Sequence, residues 1–263
     1  MKRTSYKRRG AKLGQHLLTN PAVARAVVEA AEVTAGDAVL EIGPGKGMLT
    51  RELLAAGARV TAIEKDPAMV TALKELFAKD IAEGRLKLIE NDARAVTPDT
   101  VFPKGSYKIA ANIPYYITGE LIREALTAKN QPRALAFLVQ KEVAERIARS
   151  KKESILSLSV KVYGTPRYVR TVSKGNFAPA PNVDSAILAV THISRTNFKK
   201  VSEKDFFVVV KAGFAQKRKT LAGNLKKVFG EHALDMLTAG GIPEKTRAED
   251  VPLKEWIAVC SSR

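Results

Sequence analysis

Little in this chain can be oxidised or can hold a metal. Cys260 is its only cysteine, so no intrachain disulfide forms, which suits a reducing compartment. It closes the apolar helical run Trp256-Ile257-Ala258-Val259 and reads as a packing residue. The histidines His16, His192 and His232 are scattered, without Cys or acidic partners at ligand spacing, and no metal site is expected. No apolar run reaches the ~18–20 residues of a membrane span, and no basic amphipathic helix carries bulky aromatics on one face. Membrane association is therefore not expected, and a cytoplasmic location is.

Acid is the other shortage: 27 Asp and Glu stand against 44 Lys and Arg in 263 residues, a net charge of +17. A surplus of that size attracts polyanions through solution, and nucleic acid is the first partner it implies. Met1 to Lys12 carries Lys2, Arg3, Lys7, Arg8, Arg9 and Lys12 and no acid at all. Residues 1–13 read as a basic arm suited to phosphates. A transit peptide shares that composition, but this stretch runs straight into Gly14-Gln15-His16-Leu17-Leu18, with no room for a cleavage spacer.

What the chain does have is alternation of strand and helix patterns, with 45% hydrophobic residues to build a core. Asn20-Pro21 reads as an N-cap and first helical residue. Val39-Leu40-Glu41-Ile42 reads as a buried strand, followed by Gly43-Pro44-Gly45-Lys46-Gly47 and a helical pattern. Glycines between strand and helix let backbone N–H groups face a ligand. Glu41 puts a negative charge at the mouth of that loop, awkward for a pyrophosphate but acceptable for a cationic sulfonium cofactor with an ammonium group. The strand Val60-Thr61-Ala62-Ile63 ends in Glu64, where an acid reaches ribose hydroxyls. Leu86-Lys87-Leu88-Ile89 leads to Asn91-Asp92-Ala93, with Asp92 placed to accept an adenine amino group and Ala93 to offer a backbone N–H.

The next strand pattern, Tyr107 to Ala111, ends in Asn112-Ile113-Pro114-Tyr115. Alone, this is ordinary turn chemistry. As a site it suits transfer to the amino group of a planar ring: Asn112 and the Ile113 carbonyl accept N–H bonds, and Pro114 removes a competing donor. Tyr115 then offers its ring face, rather than its hydroxyl, to an extruded base. Four polar strand ends at strand-to-helix intervals describe a nucleoside-binding doubly wound sheet with a base-handling turn. The ensemble resembles a Rossmann-like class I S-adenosylmethionine-dependent methyltransferase.

Further along, Thr118 to Ala128 reads as helix, Ala134 to Val139 as a central strand and Gln140 to Ile147 as helix, while Ser154 to Tyr163 fits either. In the segment Phe177 to Ser185, prolines hold Phe177 on a rigid loop, either as an exposed second stacking plate or as a core anchor. Residues 14–194 are expected to form the catalytic domain and 201–263 a small helical C-terminal domain that binds RNA through Lys217, Arg218 and Lys219. A charge run alone is usually a solvated face.

Several stretches together narrow the match: Gly14 to Leu18, Glu41 to Gly47, Asn112 to Tyr115, Val139 to Arg146, Phe177 to Ser185 and Phe214 to Leu221. In order and spacing the chain resembles the ribosomal RNA adenine N6,N6-dimethyltransferases over nearly its whole length. The resemblance places S-adenosylmethionine against His16, Leu18, Gly43, Glu64, Asp92 and Asn112, beside Gly45 and Ala93. It makes Asn112, Ile113, Pro114 and Tyr115 the catalytic turn and Phe177 a second aromatic near the target base, with Lys7, Arg8 and Arg9 on RNA. The family commonly has Asn-Phe where this chain has His16-Leu17, and Tyr-Gly-x-Leu-Ser where it has Glu153 to Ser157. The implied substrate is a pair of adjacent adenosines in the 3′-terminal hairpin loop of small-subunit (16S) ribosomal RNA, in a pre-30S particle, with the enzyme acting as a monomer. Two rivals share these motifs. One is the Erm resistance methylases of large-subunit RNA, against which the Gln216-Lys217-Arg218-Lys219 stretch speaks. The other is a catalytically silent nucleic-acid-binding relative, against which the intact Gly loop and Asn112 turn speak.

Overall fold

The computed structural model describes residues 16–199 and 201–262. Short aliphatic runs closed by polar residues fold as strands: β1 (Leu17–Leu18), β2 (Ala38–Ile42), β3 (Arg59–Glu64), β4 (Leu86–Glu90), β5 (Lys108–Asn112), β6 (Leu135–Gln140), β7 (Thr165–Val172), β8 (Phe177–Ala178) and β9 (Ser185–Thr191). Between them lie α1 (Pro21–Ala30), α2 (Met48–Ala55), α3 (Pro67–Leu76), α4 (Ala78–Ala82), α5 (Pro98–Val101), α6 (Thr118–Thr127), α7 (Lys141–Ala148) and α8 (Ile155–Lys161). After β9 come α9 (Glu203–Gly213), α10 (Leu221–Phe229), α11 (His232–Ala239) and α12 (Leu253–Ser261). Two helices, α1 and α3, start on the same signal, an Asx cap followed by proline. Asn20 accepts from Ala22 N and Asp66 from Ala68 N, each at 2.9 Å, with Pro21 and Pro67 supplying the helical φ.

Seven strands form one sheet in the order β4-β3-β2-β5-β6-β9-β7, while β1 and β8 make a separate antiparallel pair. β2 pairs in parallel with β3 on one side and β5 on the other, and the β3–β4 and β5–β6 pairs are parallel as well. The chain therefore winds outward from β2 to β4, then returns to β5 and winds the other way. Loops leaving the carboxyl ends of β2 and β5 diverge, and the crevice opened at such a reversal is where doubly wound sheets bind ligands. Beneath it, Val27, Val39, Leu53 and Ala62 are fully buried members of one apolar cluster. Each of the larger three contributes ~1.5–3 kcal/mol of burial.

By contacts the chain divides into two units. One runs through Lys141 and resumes over Val169–Ala189; the other takes Glu142–Tyr168 and Val190 onward. The second unit thus gathers α8 with the C-terminal helices rather than following sequence order. Backbone bonds from Glu153 N to Glu249 O, 2.7 Å, and from Ser194 N to Tyr163 O, 2.8 Å, tie it together, with an ion pair from Lys152 to Glu249. The open stretch from Ser154 resolves as helix because Ser154 and Ser157 exchange side-chain-to-backbone bonds in a capping box. Within this unit Trp256 is fully buried and stacks on Phe214, ring centroids 5.6 Å apart. No helix among the described residues is long and apolar enough to cross a membrane.

Candidate active site

The crevice at the β2–β5 reversal holds two adjoining clefts that share Gly43, Glu64 and Pro114. The first is walled by His16, Leu17, Gly45 and the turn Asn112 to Tyr115. The second is walled by Lys65, Asn91, Asp92, Ala93, Arg94 and Tyr116. The sheet thus brings together the four polar strand ends expected from sequence.

The glycine loop is shaped by what a side chain would strike. Gly45 has φ +57, and a Cβ there would stand 2.7 Å from Leu17 Cδ2. Gly43, φ +67, has only Asn112 O near its would-be Cβ, at 3.9 Å, so a side chain there would stand in the clefts it borders. Glu64, buried at the tip of β3, holds the loop from the other side. Its Oε2 accepts from Gly45 N at 3.0 Å, and its Oε1 from Lys65 N and Asp66 N at 2.8 and 2.9 Å.

Asp92 is gripped by two cations. Arg94 donates through Nε and Nη2 at 3.1 and 2.7 Å and through its backbone N at 3.0 Å, and Lys65 Nζ lies at 2.8 Å. These bonds, Arg94 first, hold its carboxyl well below the usual carboxylate range.

At the turn, Asn112 Nδ2 donates to the His16 carbonyl at 2.8 Å. That bond fixes the amide and leaves Oδ1 as its acceptor. The Tyr115 hydroxyl lies 2.7 Å from Ser185 Oγ, and the His16 ring sits 5.7 Å from the Tyr115 ring. His16 Nδ1 donates to Pro179 O at 2.8 Å, so the residue standing where the family has Asn still makes a polar contact. The first wall is held in place by the β1–β8 pair, Leu17 facing Ala178 and Leu18 facing Phe177, with Thr19 N bonded to Asn176 O at 2.9 Å.

A model of the ribosomal RNA adenine dimethylase family matches residues 7–262. The chain belongs to that family. Ribosomal RNA small subunit methyltransferase A of Dehalococcoides mccartyi is 38% identical over 253 residues, covering 94% of this chain and 86% of its own. The protein of the same name from Clostridium botulinum is 35% identical over 250 residues, covering 93% and 90%. Among solved structures, a dimethyladenosine transferase from Plasmodium falciparum matches with a TM-score of 0.79 at 27% identity over 93% of this chain and 96% of its own. The 23S rRNA methyltransferase ErmE matches at 0.75 and 22% identity, covering 94% and 98%, a likeness of fold.

For this adenine dimethylase the geometry decides one open alternative and corrects two sequence-based expectations. Phe177 is not an exposed plate: it is 5% exposed and belongs to the core cluster, because pairing with Leu18 turns its ring inward. Leu18 itself packs into that core, and by strand alternation Leu17 is the side chain that borders the cleft. Glu41 is not at the loop's mouth. It is buried, its Oε2 accepting from Thr50 Oγ1 at 2.7 Å and its Oε1 without a partner among the described residues, and burial pushes its carboxyl up to about 8. Lys7, Arg8 and Arg9 lie outside the described residues. Lys217, Arg218 and Lys219 are exposed between α9 and α10. There, buried Asn224 donates to Gly213 O and Gln216 O at 2.6 and 3.1 Å and so shapes the loop. Sequence reading passed over Lys65, Arg94, Tyr116 and Ser185, although Lys65 directly follows Glu64 and Arg94 stands two residues after Asp92.

Proposed function

We propose that this chain uses S-adenosylmethionine to dimethylate N6 of two adjacent adenosines in the 3′-terminal hairpin loop of small-subunit ribosomal RNA. The observation that carries the reading is the oriented Asn112 amide, beside the Tyr115 ring, on a cleft that continues to Glu64 and Asp92. The family relation and the small-subunit names of the relatives quoted above supply the substrate class.

The residues fit that cofactor. Glu64 suits ribose hydroxyls, Asp92 an adenine amine, and the space left by the absent Gly43 side chain a close approach to the backbone. When bound, S-adenosylmethionine supplies an electrophilic methyl group on a sulfonium. Asn112 Oδ1 and the Ile113 carbonyl accept the N6 hydrogens and draw that nitrogen out of conjugation, while Tyr115 stacks on the base. The nitrogen becomes acidic after transfer and loses its proton to water, so no strong base is needed. Orientation and electrostatics supply the rate, and one well-placed polar group in such a site is worth ~10²–10³ in turnover. Residues 201–263, through Lys217, Arg218 and Lys219, grip phosphates beyond the target base.

The test incubates small and large subunits from a methylase-deficient strain with protein and labelled cofactor, then maps methylated adenines by mass. Dimethylation of adjacent adenosines near the small-subunit 3′ end is expected. Label on large-subunit RNA alone, or none, would overturn the reading.

A further inference from the structure

Tyr115 opens a short 3-10 turn, Tyr115–Ile117, and a ring on one such turn is free to rotate about its side-chain bonds unless something stops it. Tyr116 in the same turn shows the unrestrained case, being 68% exposed. Tyr115 is stopped at two places. His16 flanks its ring with centroids 5.7 Å apart and 31° between planes, and Ser185 Oγ meets its hydroxyl at 2.7 Å.

Ser185 is a built anchor. It is 0% exposed, at the first position of β9, and among the described residues Tyr115 is its hydroxyl's one partner. Its neighbour Asp184 is pinned twice: its carbonyl accepts from Lys141 N and its Oδ1 from Lys174 N, both at 3.0 Å. These bonds fix the backbone from which Ser185 projects, and without Tyr115 its hydroxyl would be a buried polar group with no partner among the described residues.

We propose that Ser185 is a positioning residue for methyl transfer, its buried hydroxyl fixing the angle and depth of the Tyr115 ring on which the target base stacks. The Tyr115 hydroxyl is then an anchor and not a proton carrier; burial, first among the causes, pushes it further from ionisation. The ring face still meets the base, and the hydroxyl gains a separate role in holding that ring. This role rests on the reading of Tyr115 as the stacking plate.

A double-mutant cycle tests it. kcat and KM on substrate RNA are measured for Ser185→Ala, Tyr115→Phe, the double variant and Tyr115→Ala, with a melting temperature for each. One hydrogen bond lost from each single variant should lower kcat roughly three- to tenfold, leave KM for RNA unchanged, and make the double variant no slower than either single. Losses that multiply in the double variant overturn the proposal. So does wild-type kcat in Ser185→Ala with only a lowered melting temperature. If Ser185→Ala does not fold, Tyr115→Phe reads the same bond from its other end, and wild-type kcat there overturns the proposal. Slow Tyr115→Ala with unaffected single variants would sink the anchor while leaving the stacking plate standing; fully active Tyr115→Ala would sink the plate and the anchor with it.

Discussion

Replacing Glu64 with Gln tests the cleft and the fold in one change. The carboxylate accepts three backbone N–H groups, Lys65 and Asp66 on Oε1 and Gly45 on Oε2, at a residue 3% exposed. An amide of the same shape keeps one oxygen, which serves the Lys65 and Asp66 side, and turns its NH₂ onto Gly45 N–H. A charge-assisted bond then becomes two buried donors face to face, a change of about 2–4 kcal/mol. For a chain of this size each kcal/mol moves the melting temperature ~2–4 °C, so melting followed by circular dichroism should fall roughly 5–15 °C. Because the lost bond holds the glycine loop, titration calorimetry with S-adenosylmethionine should also show weaker binding. An unchanged melting temperature would refute the hydrogen-bond reasoning. A lower one with unaltered affinity would refute the ribose role and leave the fold argument intact.

Asn112→Ala should remove most methyl transfer, ~10²-fold or more, while leaving RNA affinity near wild type; retained turnover would show that the amide is not the acceptor. Alanine at Lys217, Arg218 and Lys219 together should reduce the slope of log affinity against log salt by about two, at ~0.7 per single-strand phosphate contact. An unchanged slope would place the phosphates elsewhere. Glu41 gives a pH signature: its folded pKa of about 8 lies above the ordinary 4.5, so its stabilising share is complete below 4.5 and lost as pH rises through about 8. Glu41→Gln, which mimics the protonated form, should therefore gain in melting temperature relative to wild type across that window, and a pH-independent difference would contradict the burial argument.

The strands and their polar tips were legible because their causes are local. Glu64 and Asp92 close aliphatic runs, and Asn20-Pro21 announces a helix within two residues. What was not legible depends on partners far away in the chain. Phe177 on its Pro-rich loop is compatible with either exposure or burial, and its pairing with Leu18 decides the matter. The same pairing exchanges the roles of Leu17 and Leu18. Ser185 carries no local sign of its bond to Tyr115, since the two meet only once β9 is laid into the sheet. Glu41 looked like a surface charge beside the loop, and its bond from Thr50 in the first turn of α2 shows that it points inward.

The clasp between residues 16–20 and 176–179 has a bearing on the order in which the protein comes into being. A growing chain that already contains the glycines, both acids and the Asn112 turn can bond the His16 carbonyl to Asn112 but lacks the strand that pairs with Leu17 and Leu18, which is translated more than sixty residues after that turn. Closure of the first cleft's wall is thereby deferred until Phe177 and Ala178 have been made, and a product truncated before Phe177 would carry every motif of that cleft without the strand that braces it.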